Sequence, residues 1–211
     1  MGQKANINSL HLSSNVDWNC VWYSNEKEYS RILTQDLTVF SYLKSCQILN
    51  KDSEVLKIRI CRISKNVVID VQLTNSFESH SSSSLLKEVA SNLKKYFSDF
   101  ERVFIVSKVL SSNELKIDSV YISKKIAKLI ENRVRFKSYL IKNLVNQTAE
   151  VCNGIKVSCK GRMNGADMAS GDFLTVGSIP FQTLKARIDY GFSVANTPKG
   201  LMSIKVWVYN K

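Results

Sequence analysis

The stretch GIKVSCKGRMNGADM, residues 154–168, contains three of the chain's eight glycines and begins a change in sequence character. It is followed by GDFLTVG (171–177), ARIDYGFSVA (186–195) and MSIKVWVYN (202–210). These are strand-like runs separated by Gly, Asn and Pro, the residues that punctuate turns. The C-terminal part of the chain is therefore predicted to be a mostly antiparallel sheet.

The glycine-rich turn in this stretch has two chemical interpretations: a phosphate cradle in an enzyme, or a grip on RNA backbone. The chain contains no G-x-x-x-x-G-K-[ST] and no G-x-G-x-x-G after a strand, so neither nucleotide-binding motif is present. The histidines, His11 and His80, stand in polar segments without a Cys or Ser partner at a recognisable spacing. An enzymatic interpretation rests on the glycines alone.

The cysteines and carboxylates predict neither a metal site nor a cofactor. None of the five cysteines (20, 46, 61, 152 and 159) forms a C-x-x-C pair, so a zinc knuckle is not expected. Asp167, Asp172 and Asp189 fit no metal-loop pattern. We expect reduced thiols, several of them packed as small apolar residues.

The net charge of +12 is the strongest bulk signal in the composition. A protein this basic attracts polyanions, with nucleic acid first and an anionic membrane surface second; the alternative is a soluble enzyme with a generic basic surface. Lysine supplies most of the charge and suits phosphate contacts better than base recognition. No apolar run is long enough to span a bilayer, so no membrane partner is expected.

The first half of the chain predicts a compact α+β domain in the order α-β-β-α-β. Residues 1–16 are polar and predict an extended arm. A helix is expected from Asn25, with Glu28 at capping-box spacing. Its predicted apolar stripe consists of Tyr29, Leu33, Leu37, Phe40 and Leu43. The remaining predicted elements are strands at 55–63, 66–71 and 102–110 and a helix from Leu85, which follows a serine-rich loop at 76–84.

Helical spacing then continues from about Ser119 to Cys152 and predicts one long basic amphipathic helix. Its predicted apolar side consists of Ile122, Ile126, Leu129, Ile130, Leu140 and Leu144. Lysines and arginines cover the rest of this helix. Such a face contacts RNA, a membrane surface or only water, and spacing alone leaves these three alternatives open.

Three segments together resemble one family. They are WYSNEKEYSRILTQDLTVFSYL (22–43), GIKVSCKGRMNGADMA (154–169) and IPFQTLKARIDYGFSVANTPKGLMSIKVWVY (179–209). In this order they resemble the small-subunit ribosomal protein three family nearly end to end. The resemblance implies an α+β fold with an N-terminal arm at 1–16, a degenerate type-II KH-like domain at 17–112 and a C-terminal α+β ribosomal domain at 113–211. The second domain would combine the long basic helix with the mostly antiparallel sheet.

The resemblance also implies a function. The protein would be a structural ribonucleoprotein component that binds rRNA in the small-subunit head, touches neighbouring head proteins and helps line the channel through which mRNA enters for translation. The alternatives are an RNA-processing or DNA-lesion-cleaving enzyme, an activity credited to some family members, and a free KH-type RNA-binding regulator.

The sequence departs from the family pattern at several functional positions. Asp70 and Leu73 stand where the Gly-x-x-Gly loop of a KH domain is expected, so its RNA grip is predicted to be lost. Lys137, Ser138 and Ile141 stand where the family has three basic residues at the mRNA channel. This drift, with Lys-, Asn- and Ile-rich usage, favours a mitochondrial ribosome in the matrix over a plastid or a bacterial cytoplasm.

The predicted RNA-binding residues are the cations of the arm, the long helix and the second domain, together with one turn asparagine: Lys4, Lys124, Lys128, Arg133, Arg135, Lys137, Lys142, Lys156, Lys160, Arg162, Asn164, Lys185 and Arg187. The alternative for Arg162 is a solvent-facing turn with an intramolecular salt bridge. Trp22 and Trp207 are expected to be core residues more than base-stacking ones. Lys185, Arg187 and Lys205 predict that one face of the second sheet is basic.

Overall fold

A computed structural model describes residues 6–12, 17–45, 55–63, 66–74, 81–96 and 101–210. The chain divides into two compact units: an N-terminal unit, 18–110, and a C-terminal unit, 111–211, which includes the first 17 residues of the chain. The described N-terminal residues contain one short helix, α1 (Ile7–Leu10), within the C-terminal unit.

The N-terminal unit is an α+β fold whose order of elements confirms the predicted α-β-β-α-β with one short strand added in front. Its elements are β1 (Cys20–Val21), α2 (Glu26–Ser45), β2 (Val55–Ile63), β3 (Asn66–Leu73), α3 (Ser81–Tyr96) and β4 (Arg102–Val109). The sheet order is β1-β2-β3-β4. β2 and β3 pair antiparallel, whereas β1–β2 and β3–β4 pair parallel.

The core of the N-terminal unit lies on one face of this sheet. Alternation along β2 buries Leu56, Ile58 and Ile60, as predicted, because successive side chains of a strand point to opposite faces. The same alternation applies to β3. The buried residues that pack on these strands come from both helices and are Val39, Leu43, Val89 and Leu93.

The predicted apolar stripe of α2 is confirmed at Leu43, which is buried, and at Phe40, which packs against the core, but it is wrong at the other three positions. The buried residues are Asp36, Val39 and Leu43, whereas Tyr29 and Leu37 are 51% and 59% exposed. The inward face is centred on a carboxylate, which a search for apolar spacing cannot find. Its burial is possible because partners from neighbouring elements satisfy it.

The predicted position of the Gly-x-x-Gly loop is also wrong. Asp70 and Leu73 lie inside β3, where Asp70 pairs with Arg59 of β2 and Val106 of β4. A residue that is hydrogen-bonded between two strands cannot belong to a loop between two helices. The helix after β3 begins at Ser81 instead of Leu85, and residues 76–80 of the serine-rich segment lie outside the described residues.

The C-terminal unit contains the predicted antiparallel sheet. Its further elements are α4 (Ser112–Ile117), α5 (Ser119–Glu131), α6 (Tyr139–Ala149), β5 (Gly154–Gly161), β6 (Ser170–Gly177), β7 (Ile188–Thr197) and β8 (Gly200–Tyr209). The strand order is β6-β5-β8-β7, and every pair is antiparallel.

The predicted single helix from 119 to 152 is wrong, because two helices occupy this range. Arg133 has a positive φ of 63° and follows the C-cap Asn132 of α5. The amide of Val134 donates to the carbonyl of Leu129, and that of Arg133 to Ile130, which is the Schellman pattern that ends helices. Apolar spacing continues across this break, so it gave no warning of it.

The core of the C-terminal unit lies between the two helices and one sheet face. α5 lies on β7 and β8, and α6 on β5 and β6. The helices contribute Ile122, Ile126, Ile130, Ile141 and Val145. Leu140, predicted on the apolar side, is 55% exposed. Gly191 allows the start of α5 to approach β7, since a Cβ there would lie 2.2 Å from the Ser119 carbonyl oxygen.

Residues 7–10 form α1 instead of the predicted extended arm. The side chain of Asn6 accepts a hydrogen bond from the Asn8 amide at 3.1 Å and caps this turn. Ile7 is buried against Ala186 and Ile188, beside Trp207. One turn of helix is therefore held by a cap and an apolar contact.

Candidate nucleic-acid interface

The sheet of the C-terminal unit has a second face, which we call the outer face, on the side away from α5 and α6. Antiparallel register sets its side chains in rows. Lys156 pairs with Thr175 on β6 and with Trp207 on β8. In the next row Ser158 pairs with Phe173 and Lys205, and Lys205 in turn pairs with Phe192 of β7. A third row contains Gly171, Lys160, Ser203 and Val194.

One end of the outer face is covered by the chain itself. The Trp207 ring makes an edge contact with Phe181 at 6.0 Å and a tilted contact with Tyr190 at 5.7 Å. Burial raises the pKa of Tyr190. Trp207 is half-buried beside Ile7, in agreement with the prediction that it is a packing residue.

The remainder of the outer face combines aromatic rings with lysines. Phe173 is 63% exposed and Phe192 is 50% exposed. The Lys156 ammonium lies 5.5 Å from the centroid of Phe173 and 5.6 Å from that of Phe181, which is cation–π distance. Lys160 and Lys205 are exposed. Among the outward-facing residues of β5 to β8 there is no carboxylate, so this face is basic as predicted; of the three residues on which the prediction rested, only Lys205 lies on a strand.

A second basic surface lies on the helix layer. Lys125 is exposed there. The predicted cations that are exposed there are Lys128, Arg133, Arg135, Lys137 and Lys142, while Lys124 is half-buried. Because the helices cover the opposite face of the sheet from Lys156 and Lys160, the structure divides the predicted cations between two surfaces. They do not form one patch.

Lys137 forms an ion pair with a carboxylate of β6. Its Nζ lies 3.1 Å from Oδ1 of Asp172 on β6, and both side chains remain substantially exposed. Ser138 is the N-cap residue of α6, and Ile141 is fully buried in the core. Of the three positions at which the family has basic residues at the mRNA channel, the first holds a cation that is paired with a carboxylate, and the third holds a side chain that points into the core.

Arg162 holds the glycine-rich turn together. Its Nε donates to the Ala166 carbonyl at 2.7 Å and its Nη1 to the Lys199 carbonyl at 3.2 Å, while Nη2 lies 3.5 Å from Asp167. Asn164, at φ 53°, takes the left-handed backbone that asparagine tolerates. The guanidinium thereby joins the turn to the β7–β8 hairpin, and its geometry resembles the intramolecular alternative considered for it.

The remaining predicted cations lie at the approach to β7. Lys185 and Arg187 are exposed and flank the buried Ala186, and the Arg187 carbonyl accepts from the Asn210 amide at 3.0 Å. The predicted contact at Lys4 lies outside the described residues.

Trp22 belongs to a hydrogen-bonded polar cluster in the N-terminal unit, centred on Asp36. Its indole Nε1 donates to Oδ2 of Asp36 at 2.7 Å, and Arg62 Nε donates to Oδ1 at 2.9 Å. Arg62 Nη2 also contacts this oxygen, and Nη1 donates to Gln35 at 2.9 Å. Trp22 is therefore a structural donor, in line with its predicted place among packing residues.

Two of the described cysteines, Cys159 and Cys20, are poor nucleophiles. Burial raises the pKa of Cys159 to about 11, with the Asp172 carboxylate adding to the shift. Burial and the neighbouring Asp36 raise the pKa of Cys20 to about 11 as well. Both remain neutral thiols at pH 7, and Cys152 and Cys159 pack in the core as small apolar residues. In the described part of the chain no metal-binding cluster occurs, and no described helix is long and apolar enough to cross a bilayer.

Sequence reasoning missed the two phenyl rings and the contribution of Lys199. The signal for the rings was available, since alternation along GDFLTVG and IDYGFSVA places Phe173 and Phe192 opposite the buried side chains. No sequence signal pointed to Lys199. Its backbone carbonyl accepts a hydrogen bond from Arg162 and its side chain lies over Gly165, and both contacts depend on the folded structure.

Comparison with known proteins identifies the family. The model for the ribosomal protein S3 C-terminal domain matches residues 126–208, which lie within the C-terminal unit. Small ribosomal subunit protein uS3 of Clostridium acetobutylicum is 31% identical over 212 residues, covering 100% of this chain and 92% of that protein. The uS3 protein of Alkaliphilus metalliredigens is 31% identical and covers 99% and 87%.

A third bacterial relative, uS3 of Borrelia garinii, is 33% identical over 99% of this chain and 70% of its own length. Each match extends through both units, although the family model covers only the second. With the Gly-Arg turn, the antiparallel sheet and its basic faces in place, the chain belongs to the small ribosomal subunit protein uS3 family.

Proposed function

We propose that the protein is a structural constituent of the small ribosomal subunit and acts in translation. The observation that carries this is the similarity to uS3 proteins over the whole chain. The test is sedimentation of tagged protein on a sucrose gradient at moderate salt. We expect it to migrate with the small subunit; protein that stays at the top while small subunits migrate would contradict the proposal.

The partner is the rRNA of the subunit head, bound mainly by the C-terminal unit. Its two basic surfaces, on the helix layer and on the outer face, suit contact with two RNA segments on opposite sides of the sheet. Neighbouring head proteins then cover part of the remaining surface. Lysines supply most of this charge, so affinity comes from phosphate neutralisation and falls as salt rises.

The salt dependence of rRNA binding separates Lys160 from Arg162. Lys160 is exposed, so Lys160→Ala should reduce the slope of log affinity against log salt by about one charge. Arg162→Ala should instead loosen the turn, seen as faster amide exchange at Gly165 and Ala166, because its guanidinium is already hydrogen-bonded. Equal slope changes for the two variants would show that Arg162 also faces RNA.

We infer that the N-terminal unit is the KH-like domain of the family, spanning 17–112. Support comes from the resemblance of residues 22–43 and from an α+β unit in which two helices accompany a mixed sheet. Lys57 and Arg59 on β2 place positive charge beside the sheet core. Solving this unit experimentally and comparing its topology with KH domains tests the assignment.

At the mRNA channel the contribution of this chain is reduced. Asp172 partly neutralises Lys137, and the buried Ile141 presents no charge. Lys142, exposed on the next position of α6, takes over part of that role. We expect Lys142→Ala to weaken binding of the mRNA that enters the channel more than Lys137→Ala does. Binding is measured on assembled subunits, and the reverse order of the two variants would contradict this.

We place the protein in a mitochondrial ribosome because of its Lys-, Asn- and Ile-rich drift from the family pattern. The relatives compared above are bacterial, and a plastid or a bacterial cytoplasm are the alternatives. Immunolocalisation with ribosome fractionation distinguishes the three compartments, and recovery of the protein only with non-mitochondrial ribosomes would overturn the assignment.

A further inference from the structure

One row of the outer face holds two exposed phenyl rings with a cation between them. The row runs Phe173 on β6, Ser158 on β5, Lys205 on β8 and Phe192 on β7. The rings are 63% and 50% exposed, whereas alternate side chains of the two central strands, β5 and β8, are buried in the core on the other face. Large apolar side chains grouped on a surface mark an interaction site more often than chance.

The spacing of the row suits separate flat ligands. Adjacent strands lie about 4.8 Å apart, so the anchoring points of the two rings are separated by roughly 14 Å. Lys156 and Lys160 stand in the rows on either side, on the strand between Phe173 and Lys205. Aromatic rings on an open antiparallel sheet, with cations among them, are how proteins hold unstacked bases and the phosphates that join them.

Charge decides which kind of partner fits this face. The outward side chains of β5 to β8 include three lysines, Lys156, Lys160 and Lys205, and no carboxylate. A neutral apolar partner would cover the exposed Lys160 and Lys205 ammonium groups without supplying negative charge, whereas an RNA strand supplies one phosphate per nucleotide. Paired RNA would satisfy the lysines but would keep its base faces away from the rings, so the rings select unpaired nucleotides.

We propose that the outer face of the C-terminal unit is a stacking platform for unpaired nucleotides of RNA, in which Phe173 and Phe192 each receive a base. Lys156, Lys160 and Lys205 neutralise the phosphates between them. This inference rests on the proposed rRNA-binding role and specifies a surface and a nucleotide state for it.

The test uses the full-length protein and a short single-stranded oligouridylate that carries one 2-aminopurine. This base stacks little on neighbouring uridines, and its fluorescence falls when it stacks on an aromatic ring. We expect quenching on binding and tighter binding of the single strand than of its duplex. Phe173→Ala and Phe192→Ala should each lower affinity by about five- to a hundredfold and leave the salt slope unchanged. Lys205→Gln should reduce that slope by about one.

Matched variants distinguish base stacking on an aromatic ring from nonspecific apolar contact. Phe173→Tyr keeps a ring and should bind as the wild type does, while Phe173→Leu keeps apolar area without a ring and should bind as the alanine variant. Tyr23→Ala removes a 91% exposed ring from the N-terminal unit and should change nothing. Wild-type affinity in the leucine variant, or an equal loss in the Tyr23 variant, would overturn the proposal.

Failure of this inference is distinguishable from failure of the ribosomal role. If wild-type protein migrates with the small subunit but neither quenches 2-aminopurine nor prefers single strands, the ribosomal role stands and the stacking platform is refuted. Protein that binds the oligonucleotide but stays at the top of the gradient refutes the role alone. If the Phe173 and Phe192 variants lose binding to purified head proteins and keep the oligonucleotide, the face docks protein and the inference is wrong.

Discussion

The helix–sheet contact of the N-terminal unit is centred on a charge, and that of the C-terminal unit on a glycine. In the first, the buried Asp36 of α2 receives Trp22 and Arg62. In the second, Gly191 lets the first turn of α5 lie against β7, where Ser193 Oγ donates to the Ser123 carbonyl at 2.6 Å. A buried ion pair fixes orientation but depends on both partners, whereas close backbone approach depends on the absence of one carbon atom.

The largest expected effect comes from removing the carboxylate. Asp36→Ala leaves the Arg62 guanidinium, only 10% exposed, without its counter-charge, so we expect the free energy of unfolding to fall by about 3–5 kcal/mol. Urea unfolding measures the loss. Amide exchange should accelerate in α2 and β2 and remain slow in β5 and β8, since the defect belongs to one unit.

Asp36→Asn is the control for this prediction. It keeps an acceptor for the Trp22 indole and similar volume but removes the charge, and should cost less than the alanine variant. Equal protection loss in both units would show that the Asp36 cluster is not a local determinant of the N-terminal unit.

Gly191→Ala should have the next largest effect, and in the other unit. The added Cβ would lie 2.2 Å from the Ser119 carbonyl oxygen, and backbone cannot rotate aside as a side chain can. We expect a destabilisation of about 1–3 kcal/mol in urea, with faster exchange in α5 and β7. Gly171→Ala is the matched control, because its nearest neighbour is the flexible Lys160 side chain at 3.2 Å. A wild-type midpoint for Gly191→Ala would mean that α5 shifts freely on the sheet.

A smaller effect, of opposite sign, is expected at the end of α5. Arg133 takes φ 63°, a conformation that costs an L-residue free energy and glycine almost none. Arg133→Gly should therefore stabilise the C-terminal unit by about 0.5–1 kcal/mol, seen as a raised thermal midpoint. A lowered midpoint would show that the arginine side chain contributes more to the fold than its backbone strain costs.

Local patterns in the sequence predict buried strand positions and secondary structure well, but they do not predict contacts between residues that are far apart in the chain. Alternation located the buried Leu56, Ile58 and Ile60 of β2, and turn residues located the four-stranded antiparallel sheet. Prediction from the sequence failed at Asp36, because a buried carboxylate is specified by Arg62, 26 residues away. It failed at Arg133, because glycine, the usual marker of a Schellman end, is absent.

The prediction of the RNA-binding surface also succeeded where it rested on local sequence and failed where it depended on long-range contacts. Lysine positions indicated a basic C-terminal unit. The strands place Lys156, Lys160 and Lys205 on one outer face, whereas Lys185 and Arg187, from which that face was also predicted, precede β7. The separation of the outer-face cations from those of α5 and α6 depends on which sheet face the helices cover. That placement is a property of the folded unit, as is the use of Arg162 to bind the Lys199 carbonyl.

The smallest expected effect compares the two buried thiols by their dependence on pH. Cys20 and Cys159 each have a pKa raised to about 11 from 9.0, mainly by burial, and Asp36 adds to the shift of Cys20 alone. The folded state holds each proton more tightly than the unfolded state, so the contribution of these two thiols to stability is constant below pH 9 and declines as pH rises towards 11. Asp36→Asn should lower the pKa of Cys20 and leave that of Cys159 unchanged. Alkylation rates of each thiol against pH, resolved by mass spectrometry, measure this, and parallel shifts of both thiols would contradict a local effect of the carboxylate.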